Sequence, residues 1–187
     1  MGSVGQTERR GSRLELQKAT FTGADLRGRD LTGCELIECN FDRADLSGAT
    51  LHSAYLACCS LVGADLSAVQ AGKTQLLDCD LRRADLTGAW LVSAELDGSD
   101  LREVLGRRAD LRNASLDEVD LRGGDLRGAN LTNAEFSRVL VDGTRFAGAV
   151  GVESTSVSRL LLDDGGAVAD GAAAKAWLLE ASRLAEG

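Results

Sequence analysis

The chain has no proline in its 187 residues, one histidine, and aromatic side chains at only 4% of positions. A core must therefore be assembled from Leu, Ala and other modest side chains rather than aromatic bulk. The single histidine, His52, leaves any Ser-His-Asp or Cys-His arrangement dependent on one residue, and its position reads as a surface corner. There is no P-loop, and no GxGxxG opens a helix after a strand. Cysteines number five, Cys34, Cys39, Cys58, Cys59 and Cys79, an odd count that fits neither a disulfide framework nor paired CxxC zinc ligands. No metal, no cofactor and no catalytic residue is expected. No run of about 18 apolar residues could span a membrane, and the segment MGSVGQTERRGSR has no apolar core of a signal peptide, so a cytoplasmic protein is expected. Basic residues are outnumbered 21 to 29, a net charge of -8, which argues against direct nucleic-acid binding and for a basic partner.

What the sequence does have is a period. A large apolar residue recurs at every fifth position from Leu16 to Phe146, and 24 of these 27 centres are Leu or Phe. Ala71, Gly106 and Val141 are the exceptions, and no insertion shifts the frame. Two residues before most centres stands a small residue, such as Ala24, Ala44, Cys59, Ala64 or Ala84. Five residues fit neither helix nor strand periodicity, so the chain must turn in every repeat. Small residue and centre point inward across one polar residue, and the remaining two form a corner.

A second period sets the coil. Ala-Asp-Leu begins at Ala24, Ala44, Ala64 and Ala84, and cysteine falls at Cys39, Cys59 and Cys79, both series spaced by 20. Four pentapeptides then make one turn of an all-β solenoid, about seven coils long, with coils stacked at about 4.8 Å. The expected rod occupies 14–150, after a disordered 1–13. The stretches Ala68–Gln75 and Glu103–Ala109 weaken the pattern, and a bulge or slip of register is expected near Gly106.

The run ADLRGRDLTGCELIECNFDRADLSGATL and the later LRGGDLRGANLTNAEF resemble the pentapeptide-repeat family over roughly 70% of the chain. That resemblance implies a right-handed quadrilateral β-helix. Length, unbroken register and a helical tail make the chain similar to the Qnr and MfpA quinolone-resistance type, which implies a homodimer that acts by DNA mimicry on DNA gyrase or topoisomerase IV. The loops that interrupt Qnr repeats are absent here, so the likeness is to the loopless MfpA type. Many family members have other or unknown roles, which keeps open a structural or adaptor module with a partner surface around Tyr55 and Trp90, both expected to face solvent.

Sorting charges by the 20-residue period singles out one side. The Leu16 side carries Glu15, Glu35, Glu38, Asp78, Glu95, Asp97, Asp117, Glu118 and Glu135 against Lys18 and Arg138, a net of -7. The Phe21 side holds six acids and five bases, and the Leu26 and Leu31 sides balance. The acidic side is the candidate partner-binding face. From 151 to 187 the period is lost: VSRLLLDD suggests a last strand, and a helix follows with Asp170 as N-cap. Its apolar stripe, Ala174, Trp177, Leu178, Ala181 and Leu184, is expected to cap the solenoid, to dimerise, or both.

Overall fold

A computed structural model describes residues 7–8, 14–161 and 167–183. The described chain is a β-solenoid of about seven turns closed by a single C-terminal helix. On three of the four sides each repeat is built the same way. The residue before the centre bridges to its equivalents 20 residues away, as in Asp25↔Asp45↔Asp65↔Asp85. The centre points inward, and its carbonyl accepts the amide three residues on, as Phe41 accepts Ala44 N–H at 2.9 Å. This closes a turn whose third residue needs positive φ, here Arg43 at 56°. Between coils, Phe41 N–H donates to the Ser60 carbonyl at 2.6 Å and Asn40 N–H to that of Ala19 at 2.9 Å.

The Leu16 side differs from the other three. There the chain stays extended through three-residue strands, Glu15–Gln17, Glu35–Ile37, Tyr55–Ala57, Gln75–Leu77, Ser115–Asp117 and Glu135–Ser137, paired in parallel with a 20-residue register. Glu95 bridges Gln75 to Ser115 and so completes the column. Left-handed corners are not confined to glycine: sixteen other residues take φ between 52° and 59°. The strain is about 1–2 kcal/mol each and is offset because the corner amide is fixed by the next coil, as Glu38 N–H is by the Ala57 carbonyl at 2.9 Å.

The interior is two apolar layers, the centres and the small residues, from Leu16 to Phe146. Polar intruders in the small layer are satisfied by one rule. Ser99 Oγ donates to the Leu76 carbonyl at 2.8 Å and Thr74 Oγ1 to that of Leu51 at 2.6 Å, each 23 residues back. The thiols of Cys39, Cys59 and Cys79 repeat it at 3.3–3.5 Å.

The expected bulges do not form. Asp85↔Leu105↔Asp125 and Gln70↔Trp90↔Asp110 hold the 20-residue register straight through Gly106. The missing side chain is replaced by a neighbour's: Leu126 Cδ2 lies 2.6 Å from where a Cβ on Gly106 would sit. The Ala-Asp-Leu at Ala109 thus lies on another side of the square.

Both ends depart from expectation in detail. Within the supposedly disordered 1–13, Thr7–Glu8 pairs antiparallel with Glu15–Leu16, where the first coil leaves its ladder groups open; the rest of that segment lies outside the described residues. At the other end, Arg159–Leu161 adds in parallel to Val139–Leu140 and Ala167–Asp170 adds antiparallel to that. Asp170 is therefore a strand residue, and Gly171, at φ 57°, stands before the helix Ala172–Arg183. Ala174 and Leu178 are fully buried, the Trp177 ring meets Phe146 edge-on at 6.3 Å, and Gly148 N–H donates to Ser182 at 2.8 Å. The helix caps the rod. Leu184 lies outside the described residues. Among the described residues no helix is long and apolar enough to cross a membrane.

Candidate functional site

All nine acids predicted for the Leu16 side are exposed or half-exposed, in three columns set by the strand register. Glu15 and Glu35 are direct ladder partners, and Glu95 and Glu135 continue that column. Asp97 and Asp117 stand just after their centres, and Glu38, Asp78 and Glu118 occupy left-handed corners.

On the other sides many carboxylates are neutralised locally. An arginine two residues after an aspartate folds back onto it: Arg27 on Asp25 at 2.7 Å, Arg82 on Asp80 at 2.6 Å, Arg112 on Asp110 at 2.7 Å. The guanidinium beside Asp25 holds its carboxyl down to about 2, and those of Arg82 and Arg112 lower Asp80 and Asp110. On the Leu16 side the residue two after Glu15 or Glu35 is Gln17 or Ile37, so no such partner exists. The Asp-x-Arg triplet is a sequence signal that separates paired from unpaired carboxylates.

Among the described residues, compensation on the acidic side comes only at its two ends. Lys18 reaches Glu38 at 3.5 Å, and Arg138 bridges Asp117 and Glu118 at 2.8 and 2.9 Å. Glu95 accepts Gln75 Nε2 at 2.7 Å, while Asp97 accepts Ser115 Oγ at 2.7 Å and Asp117 N–H at 3.0 Å, which fixes it as a structural acceptor. The coil at Tyr55–Ala57 carries no acid, so Ile37, Tyr55, Ala57 and Leu77 form a half-buried apolar saddle between two acidic patches. Counting charges per side could not show that interruption.

The residues held back as chemical candidates are structural. His52 stacks on Trp90, ring centroids 6.1 Å apart and planes within 12°. Trp90 does not stand out into solvent; its ring lies across Gly72, where an added Cβ would come within 2.6 Å of it. Cys39, Cys59 and Cys79 are buried. The Cys39 thiol draws Cys59 down, but Cys79 and burial outweigh it and leave Cys59 pushed up to about 12, so the Cys59 thiol stays protonated. Among the described residues no cluster could hold a metal.

The profile described as Pentapeptide repeats matches in eight copies, over 15–52, 30–67, 59–98, 79–104 and 109–148. The chain belongs to the pentapeptide-repeat family. Solved pentapeptide-repeat structures similar to it have different roles. HetL of the cyanobacterium Nostoc, involved in heterocyst differentiation regulation, is 26% identical over 82% of this chain and 80% of its own, with a TM-score of 0.31. QnrB1, a plasmid-mediated fluoroquinolone resistance protein in a trypsin-treated form, is 21% identical over 80% of this chain and 83% of its own, at 0.41. A pentapeptide repeat protein from the Arabidopsis thaliana thylakoid lumen is 29% identical over 64% and 69%, at 0.23. No curated protein sequence matches the chain. Membership fixes the fold, and function has to be argued from the surface.

Proposed function

We propose that this pentapeptide-repeat protein is a non-enzymatic protein ligand of DNA gyrase or topoisomerase IV, which occupies the DNA-binding saddle and protects the enzyme from quinolone-like poisons. The observation that carries the reading is the Leu16 side, where nine acids meet two bases on a straight, rigid rod. Over seven coils at about 4.8 Å the net charge is one per about 5 Å, against one per about 1.7 Å for duplex DNA, so the mimicry is partial. A rigid array still needs no ordering on binding, which favours complementarity with a basic groove. The reading includes a cytoplasmic location and a homodimer through the C-terminal segment. Because Ala174 and Leu178 are spent on the rod's own end, the dimer must use the outward helix face or the terminal strands.

The test is a gyrase supercoiling assay with a fluoroquinolone, titrated with the protein and scored for supercoiling and cleaved DNA. Loss of cleavage complexes or inhibition of supercoiling supports the reading; no effect on either refutes it. The apolar saddle at Ile37, Tyr55 and Leu77 favours a second reading, an adaptor that binds another protein with no topoisomerase role. In that case Tyr55→Ala abolishes partner binding while Glu95→Lys leaves it unchanged.

A further inference from the structure

The Asp-x-Arg rule has one failure with consequences. Arg107 lacks its aspartate because Leu105, 41% exposed, stands in that place. Its guanidinium instead reaches Asp125 Oδ2, 18 residues on, at 2.5 Å. Arg127 holds the same carboxylate at 2.8 Å, and Arg145, which takes the aspartate's place one coil further, adds a contact at 3.0 Å. Asp125 is completely buried beneath them. Burial pushes its carboxyl up, but the three guanidinium groups outweigh that and hold it well below the usual range. One buried anion thus orients three cations.

A fourth cation stands beside them. Arg108 is exposed, has no ion pair among the described residues, and holds φ 55° at a corner that elsewhere on this side is Gly28, Gly48, Ala68, Gly88, Gly128 or Gly148. Four arginines against one aspartate leave a local +3 at this end of the side, whose opposite end carries Asp25, Asp45, Asp65 and Asp85 against Arg27. The next acid on this side, Asp85, lies two coils from Asp125 and one coil from Arg107, and accepts the Thr87 amide at 2.8 Å. Arg107, Arg108 and Arg127 line a concavity of about 520 Å³ together with Thr87, Gly128, Ala147 and Gly148. Gly128, Ala147 and Gly148 leave it without a large side chain to fill it.

The geometry points to a binding site for the phosphoryl group of a small ligand. Planar guanidinium forks converging on one concavity suit a tetrahedral oxyanion, and Thr87 forms part of its wall. Asp125 is the positioning residue: it fixes the forks without neutralising them. Four cations confined to two or three coils fall short of the roughly 6–10 phosphate contacts that sustain duplex binding, and the chain's charge of -8 repels a polyanion. The Leu26 side lies opposite the acidic side of the square, so the inference stands independently of what the acidic side binds.

The test follows the arginine Nε–Hε resonances of the full chain during titration with pyrophosphate at about 0.1 M salt, where long-range attraction is largely screened. Saturable shifts are expected at Arg107, Arg108 and Arg127, with affinity at least about tenfold weaker in Arg108→Gly. That variant restores the residue type of the neighbouring coils and keeps the fold. Absence of a saturable shift, or equal affinity in Arg108→Gly, overturns the proposal. Tighter binding of short duplex DNA than of pyrophosphate at the same resonances also overturns it, by assigning the site to a nucleic-acid backbone.

Discussion

Glu15 and Glu35 face each other in the ladder with no base beside either among the described residues, and this predicts that Glu35→Lys stabilises the fold while weakening its proposed function. Carboxylates on neighbouring strands lie about 5–6 Å apart, which in water costs about 0.7 kcal/mol. Screening at about 0.15 M salt cuts this to about 0.3 kcal/mol. Reversing one charge turns repulsion into attraction, a gain of about 0.6–1.4 kcal/mol between these limits, or about 1–5 °C in Tm for a chain of this size. The same change replaces one favourable contact to a basic groove by an unfavourable one, about 0.4–2 kcal/mol, which weakens gyrase binding about two- to thirtyfold. Thermal unfolding at about 0.05 M and 1 M salt, where the Debye length falls to about 3 Å, reads the first effect, and surface plasmon resonance against gyrase reads the second. A gain in Tm that disappears at high salt, with weaker binding, is the expected pair. A loss of stability, or a gain indifferent to salt, would refute the uncompensated stack. Unchanged binding alongside the gain would refute the acidic side as the contact surface.

Three further outcomes follow from the packing. Leu96→Ala removes a fully buried centre and should cost about 2–5 kcal/mol in chemical denaturation, since adjoining coils cannot collapse onto the void. Gly72→Ala, at a backbone that tolerates alanine, must displace the Trp90 ring from His52, which should cost about 1–2 kcal/mol and shift tryptophan emission to the red; unchanged emission would mean that the ring does not lie there. Asp125→Asn should cost about 2–3 kcal/mol at neutral pH by leaving three arginines around a neutral amide, less than for a fully buried pair because the arginines are part-exposed. Because the folded carboxyl is held below its ordinary value, its contribution is fully present above about pH 4 and is lost as pH falls through the folded value. The Tm gap between the two proteins should therefore narrow steadily as pH falls below about 4.

The solenoid was legible because its physics is one-dimensional. A centre every fifth residue and a 20-residue echo determine which side chains point inward, how many repeats close a coil and which acids share a side, and the structure keeps that frame at every coil. The helical cap was equally legible, since Ala174 and Leu178 stand on one stripe and an open end must be covered. Register near Gly106 was not, because a missing centre reads as a defect in sequence while Leu126 from the next coil supplies the volume. Which carboxylates remain uncompensated depended on side-chain reach: arginines fold back within Asp-x-Arg repeats, Arg107 crosses to another coil, and Arg138 takes two acids at once. The apolar saddle at Tyr55 and the Trp90 ring lying over Gly72 were likewise decided by contacts between residues about 20 apart. The sequence alone determined the axis, the inward layers and the sorting of residues onto four sides, because backbone periodicity does that. Only the tertiary structure decided which charges on those sides are free, because pairing is settled between coils.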